Sequence, residues 1–322
     1  MLDRLVRRLR GLHRLPGFHS MILRQEPKDF ELATQIASVV AYRKFVGPIT
    51  LFADVAGARW ARRTGIIGLY DDVRPLAVDP RVDLTRFWAA GKIAAMAEMR
   101  APCCSVDTDA ILMTRPAALP AAVALHAEPE DWEVYRSSAF RRTLDVSVGL
   151  KGACTFPPAN TAVLAFNDED LRAEYCELAR WHMVQESRRP TLSSGYEVHI
   201  EGQPVRAMVL VEQYLLSALC SARGKRLRFL GDLDPATNHL SRNPEVLHLW
   251  SSKRFYAKHA RAHERFLDSV MDLIKGLGDT AAHDVCRANG LPVCRVTDAN
   301  TGVRRWSYAG EWVGPGETSE LL

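Results

Sequence analysis

No stretch of the 322-residue chain approaches the roughly 20 consecutive apolar residues that a membrane-spanning helix requires, so a helical integral membrane protein is not expected. The seven cysteines contain no CxxC spacing, which removes the usual zinc-ribbon and dithiol-redox readings and leaves reduced, mostly buried thiols. Internal repeats and low-complexity tracts are missing, so a solenoid or a largely disordered chain is not indicated. A cleavable secretory segment is also missing from the first residues, and with the reduced cysteines this predicts a cytoplasmic protein. Excess charge of one sign is confined to one place. The formal net charge of +4 vanishes once Arg4, Arg7, Arg8, Arg10, Arg14 and Asp3 are set aside, so no nucleic acid partner is expected.

What is present begins with that arm. On a helical wheel Leu2, Leu5, Val6, Leu9 and Leu12 share one face and the arginines cover the other. Such a helix suits peripheral contact with an anionic membrane surface through residues 1–15, and equally suits docking on its own domain. Pro16 and Gly17 end it.

Beyond the arm, short β-type runs alternate with helical ones. His19 to Leu23, Ile49 to Ala53 and Cys103 to Val106 are β-like; Phe30 to Tyr42 and Phe87 to Met99 are helical. This alternation predicts an α/β fold with a Rossmann-type, mostly parallel sheet flanked by helices. Ligands bind such sheets beyond the carboxyl ends of the strands, which singles out Asp54 and Asp107. Further on, the pattern predicts a strand over Thr161 to Phe166 and helices from Asp168, over Val205 to Ala222 and over Phe255 to Ile274. It also predicts a strand over Leu227 to Leu230 and a hairpin around Asn300, Thr301 and Gly302. The expected organisation is an N-terminal amphipathic helix (1–18), one main domain (19–260) and a C-terminal helical and hairpin extension (261–322).

The segment Asp107-Thr108-Asp109 ends a β run at the predicted binding edge. Read as extended backbone, its two carboxylates point to one side and can share a hard cation. The chain from about residue 19 to 260 resembles nucleotide-sugar glycosyltransferases of the GT-A fold, in particular the retaining families 8 and 32, which are glycogenin-like and mannosyltransferase-like. The resemblance rests on the order of Asp54, the segment Phe87 to Lys92, the Asp107-Thr108-Asp109 motif, the segment Pro158 to Asp168, Glu212-Gln213, and Val246 to Lys253. It implies a metal site of Asp107, Asp109 and His248, with His239 as a rival imidazole. It implies donor contacts from Asp54, Lys92, Asp107, Asn160 and Lys253, and catalytic contacts from Glu212 and Gln213, seen as opening a helix. The sequence departs from the family pattern at Ala162, where glycine is usual, at Glu212, where aspartate is usual, and at Ser251 and Ser252, beside a lysine one place early.

The resemblance further implies Mn2+ or Mg2+ as cofactor, a nucleotide-sugar donor of the UDP type, and a glycan, lipid or small-molecule hydroxyl as acceptor. The expected reaction is metal-dependent, retaining sugar transfer; an inverting course would need Glu212 or Asp168 as general base. Two other functions fit the same residues: a non-catalytic nucleotide-sugar-binding module, and an aspartate-based phosphatase built on Asp107.

Overall fold

The computed structural model describes residues 14–115, 120–130, 133–135, 139–189, 199–200, 203–204, 206–231, 233–234, 239–240, 246–248, 260–297 and 304–308. The arm over residues 1–13, Lys253 and the tip of the C-terminal hairpin lie outside them.

Seven strands form one sheet. They are β1 (Gly17–Met21), β2 (Ile49–Ala53), β3 (Asp72–Pro75), β4 (Cys103–Val106), β6 (Ala122–Ala127), β7 (Ala159–Phe166) and β8 (Leu227–Gly231). The order across the sheet is β8-β6-β7-β4-β1-β2-β3. β1 runs parallel to β2 and β4, β2 to β3, and β8 to β6; β7 runs antiparallel to both of its neighbours, β4 and β6. The architecture is therefore mixed α/β with a mostly parallel central sheet flanked by helices, as the alternation predicts. β5 (Ala110–Leu112) leaves the sheet after a turn and pairs antiparallel with β9 (Val246–His248).

Alternation along the strands divides the core in two. In β7, Val163 and Ala165 face one layer and Leu164 and Phe166 the other. The first layer is closed by α1 (Asp29–Phe45), α8 (Ala260–Leu277) and α9 (Thr280–Ala288). Val270, Met271 and Ile274 of α8 share that layer with Ile36 and Val40 of α1, so the C-terminal helix is part of the main core. The second layer is closed by α3 (Ala90–Glu98), α4 (Ala139–Ser147), α5 (Glu169–Ser187) and a helical stretch over residues 206–222. That last stretch consists of α6 (Arg206–Val209), a π-helical turn (Leu210–Tyr214) and α7 (Leu215–Ala222).

Local chemistry fixes the ends of these elements. Asp54 caps α2 (Val55–Arg63) by accepting from the Gly57 amide at 2.6 Å, Asp168 caps α5 through Leu171, and Asp279 caps α9 through Ala282. Gly17 is required by close packing: a Cβ there would stand 2.3 Å from the Tyr42 ring, whose hydroxyl donates to the Leu15 carbonyl. The hairpin predicted near the C-terminus exists as β10 (Pro292–Thr297) paired with β11 (Arg304–Tyr308). Among the described residues six cysteines are free thiols, five of them buried, and no helix is long and apolar enough to cross a membrane.

Candidate active site at the carboxyl edge of the sheet

Parallel pairing brings the carboxyl ends of β1, β2, β4 and β6 to one edge, and the reversed β7 brings its amino end there too. Asp54, Asp107, Glu128, Asn160 and Thr161 are gathered by that topology alone. The Asp107-Thr108-Asp109 segment differs from the extended backbone expected of it. It is a β-turn in which the Ala110 amide donates to the Asp107 carbonyl at 2.9 Å and the Asp107 amide donates to Ala162 at 2.7 Å. The turn joins β4 to β5, and its curvature sets the two carboxylates side by side.

His248 reaches the same place through strand register. Pairing of β9 with β5 sets His248 opposite Ala110, the residue after Asp109, and brings its Nε2 to 3.9 Å from Asp109 Oδ2. One donor atom each from Asp107, Asp109 and His248 lies within 4.8 Å of the others, and all three residues are partly accessible. Two hard carboxylate oxygens and one imidazole form a donor set that fits Mn2+ or Mg2+ better than a thiophilic ion.

Behind this triad lies a buried charged cluster. Lys92, on α3 and only 6% exposed, directs its Nζ to Asp107 Oδ1 at 2.7 Å, to Glu212 Oε1 at 2.5 Å and to the Thr161 carbonyl at 3.1 Å. Glu212, 4% exposed, also accepts from the Thr161 hydroxyl at 2.6 Å, and its backbone carbonyl accepts from Tyr175. Burial alone would drive the Lys92 ammonium toward neutrality, but Asp107 and Glu212 more than reverse this, so its pKa lies above the usual lysine value. Burial raises the Asp107 carboxyl, and the neighbouring Asp109 and Glu212 charges add to that rise while Lys92 opposes it.

Glu212 and Gln213 do not open a helix, as expected from the sequence; they sit in the π-helical turn in the middle of the stretch. A π turn adds a residue per turn and so turns neighbouring side chains in different directions. Glu212 goes to Lys92, while Gln213 accepts a hydrogen bond from the Tyr135 hydroxyl. Asn160 lies in β7 and is buried, donating through Nδ2 to Glu128 Oε1 at 2.7 Å and accepting from the Ala162 amide. Asp54 Oδ1 is engaged in capping, and Asp168 binds Lys225 at 2.5 Å in addition to its own cap; neither joins the cluster around Asp107. His239 stands in a two-residue strand paired with Leu233–Asp234.

Sequence reasoning missed Glu128, Tyr135, Thr161 and Tyr175. Glu128 was open to the rule that singled out Asp107, since it follows the apolar run Ala122 to Ala127. Burial pushes its carboxyl up to about 7, a rise that the Asn160 hydrogen bond only partly offsets, and its buried Oε2 has no hydrogen-bond partner among the described residues. Beside Lys92 and Asp109 a cavity of about 310 Å3 opens under the loop after β1, with Ile22, Arg24, Trp88 and Thr108 among its lining residues.

No family model and no curated protein matches the sequence. Among solved structures, the chain is similar to the galactosyltransferase LgtC in complex with donor and acceptor sugar analogs, at 13% identity and a TM-score of 0.38 over 75% of this chain and 94% of that one. It is also similar to an active-site mutant of LgtC, at 11% identity and a TM-score of 0.38 over the same shares of each chain.

Proposed function

We propose that the protein is a metal-dependent glycosyltransferase that moves a sugar from a nucleotide-diphosphate donor of the UDP type to a hydroxyl acceptor. The observation that carries the reading is the convergence of Asp107, Asp109 and His248 at the carboxyl edge of β4, backed by the buried Lys92 and Glu212 pair and opening on the cavity beside Trp88. Asp107, Asp109 and His248 would hold Mn2+ or Mg2+, which when bound supplies positive charge where the leaving diphosphate becomes more negative.

The chain's own residues do the rest. Lys92 ties Asp107 to Glu212 and so fixes one face of the site against the other. Glu212 and Gln213, each held by a second side chain, present oriented polar groups to the sugar and stabilise positive charge growing at its anomeric carbon. Lys253 and Asn160 complete the donor contacts in this reading, Lys253 at the diphosphate. We place the reaction in the cytoplasm, with residues 1–15 as a contact to an anionic membrane.

A retaining course needs no protein base, because the departing phosphate oxygen takes the acceptor proton on the same face. It is favoured by the engagement of both carboxylates that an inverting course would otherwise recruit: Glu212 is held by Lys92 and Thr161, and Asp168 by its cap and Lys225. Two observations favour an inverting alternative with Glu128 as base: its Oε2 has no hydrogen-bond partner among the described residues, and burial raises its carboxyl to about 7. Proton NMR of the first-formed product tests this: the donor's anomeric configuration is expected to persist, and its inversion, abolished in Glu128→Gln, would move the base role to Glu128.

A further inference from the structure

On the side of β1 away from the charged cluster, four polar side chains bonded to one another are buried in a largely apolar layer. His19 of β1 is fully enclosed, with Nδ1 at 2.8 Å from the Tyr70 hydroxyl and Nε2 at 3.1 Å from Ser38 Oγ. Gln35 Nε2 donates to the Tyr70 oxygen at 2.8 Å, and Ser38 Oγ donates to the Ala110 carbonyl at 2.5 Å. Gln35 and Ser38 are both on α1, three residues apart and so on one helical face.

The direction of every bond follows from these partners. A carbonyl only accepts, so the single Ser38 proton is committed to Ala110. Ser38 therefore accepts from His19, which fixes the proton on Nε2. His19 Nδ1 is then the acceptor, so Tyr70 donates to it, and the Tyr70 oxygen receives the Gln35 amide. Gln35, Tyr70, His19 and Ser38 form one directed chain with a single neutral histidine tautomer, and it terminates on one backbone carbonyl. That carbonyl belongs to the residue that follows Asp109 and pairs in register with His248.

We propose that this chain is a positioning device for the cation site, with Ser38 and His19 as its positioning residues. By holding Ala110 they fix the exit of the Asp107-Thr108-Asp109 turn and the strand pairing that delivers His248. Four buried polar groups are an expensive way to fill a core layer that apolar side chains could fill, and a directed chain locates its end point more sharply than packing does. The inference rests on the cation-binding reading of the triad and adds residues that lie outside it.

The test is Mn2+ titration of the full chain followed by electron paramagnetic resonance of the free ion, with the melting temperature recorded for every variant. Ser38→Ala is expected to raise the Mn2+ Kd about 10- to 100-fold, the usual range for loss of a group that orients ligands. Ser38→Thr, which keeps the hydroxyl, is expected to stay within about threefold of the parent. Tyr70→Phe, a gentler change at the far end of the chain, should raise the Kd severalfold and serves if Ser38→Ala does not fold. Val39→Ala, a core truncation one residue away in α1, should lower the melting temperature while leaving the Kd unchanged. An unaltered Kd in Ser38→Ala or Tyr70→Phe, or an equal rise in Val39→Ala, overturns the inference. If Asp109→Asn abolishes Mn2+ binding in the same series, that failure belongs to the positioning device alone. If the parent protein binds no Mn2+, the cation reading fails and the inference with it.

Discussion

Replacing Lys92 by Met removes the only cation in contact with Glu212 among the described residues while keeping most of the side-chain volume. Glu212 is 4% exposed, so its carboxylate would be left with the Thr161 hydroxyl as its one side-chain partner among the described residues. Asp107 loses the same ammonium, but a third of its side chain reaches solvent and water can compensate it. The cost is therefore dominated by one uncompensated buried carboxylate, about 3 to 5 kcal/mol for breaking such a pair from one side. In a domain of this size that corresponds to a fall in melting temperature of roughly 6 to 20 °C. Urea unfolding followed by circular dichroism at pH 7.5 measures it. The partner experiment is Lys92→Met with Glu212→Gln, which removes both charges together and should recover about 2 kcal/mol relative to Lys92→Met alone. A Lys92→Met protein within about 1 kcal/mol of the parent, with no recovery in the double variant, would refute the view that Lys92 and Glu212 are a buried, mutually dependent pair.

Three further outcomes follow from the same physics. Glu128 has a folded-state value of about 7, above the ordinary glutamate value near 4.5, so its contribution is present at low pH and lost as pH rises through 7. Glu128→Gln should therefore gain about 2 kcal/mol on the parent between pH 5 and pH 8, and parallel unfolding curves at both pH values would contradict this. His19 and His182 are buried with values lowered to about 3 and about 4, so their contribution is present above 6.5 and lost as pH falls toward those values. Each should cost the fold about 2 kcal/mol at pH 5 relative to pH 8, and a His182→Gln variant should show a shallower acid loss in thermal melts. Replacing Arg4, Arg7, Arg8 and Arg10 by Ser should weaken sedimentation with anionic vesicles, most at low salt; unchanged binding would favour docking of the arm on its own domain.

The fold was legible because its signals are local. β-rich runs such as Ile49 to Ala53 and Cys103 to Val106, with helical patterns between them, point to a mostly parallel sheet, and the structure has one, with β7 reversed. β3 escaped because Asp72–Pro75 is a short, exposed edge strand with no apolar face to mark it. β6 escaped because half of Ala122 to Ala127 is alanine, a residue of low β propensity. For the candidate site, the resemblance points to Asp107, Asp109, His248, Lys92 and Glu212, and the structure sets these five side chains in one connected group. What pattern could not supply was the turn geometry of Asp107-Thr108-Asp109, the π turn that parts Glu212 from Gln213, and the register that sets His248 against Ala110. The turn is fixed by the Asp107 amide bond to Ala162, 55 residues on, and the register by strands 138 residues apart, and local periodicity is blind to both; the π turn is a backbone irregularity that leaves no mark in the apolar pattern.

Cation-dependent transfer from a nucleotide sugar requires both the ion and Asp109. It is tested most directly by measuring nucleoside diphosphate release from a panel of UDP- and GDP-sugars, with Mn2+ and with excess chelator, for the parent and for Asp109→Asn. Release from at least one UDP-sugar by the parent in Mn2+ is expected, with its loss in chelator and a fall of about a hundredfold or more in a folded Asp109→Asn protein. Release that is undiminished by chelator or by Asp109→Asn, or none from any donor in Mn2+, would contradict it.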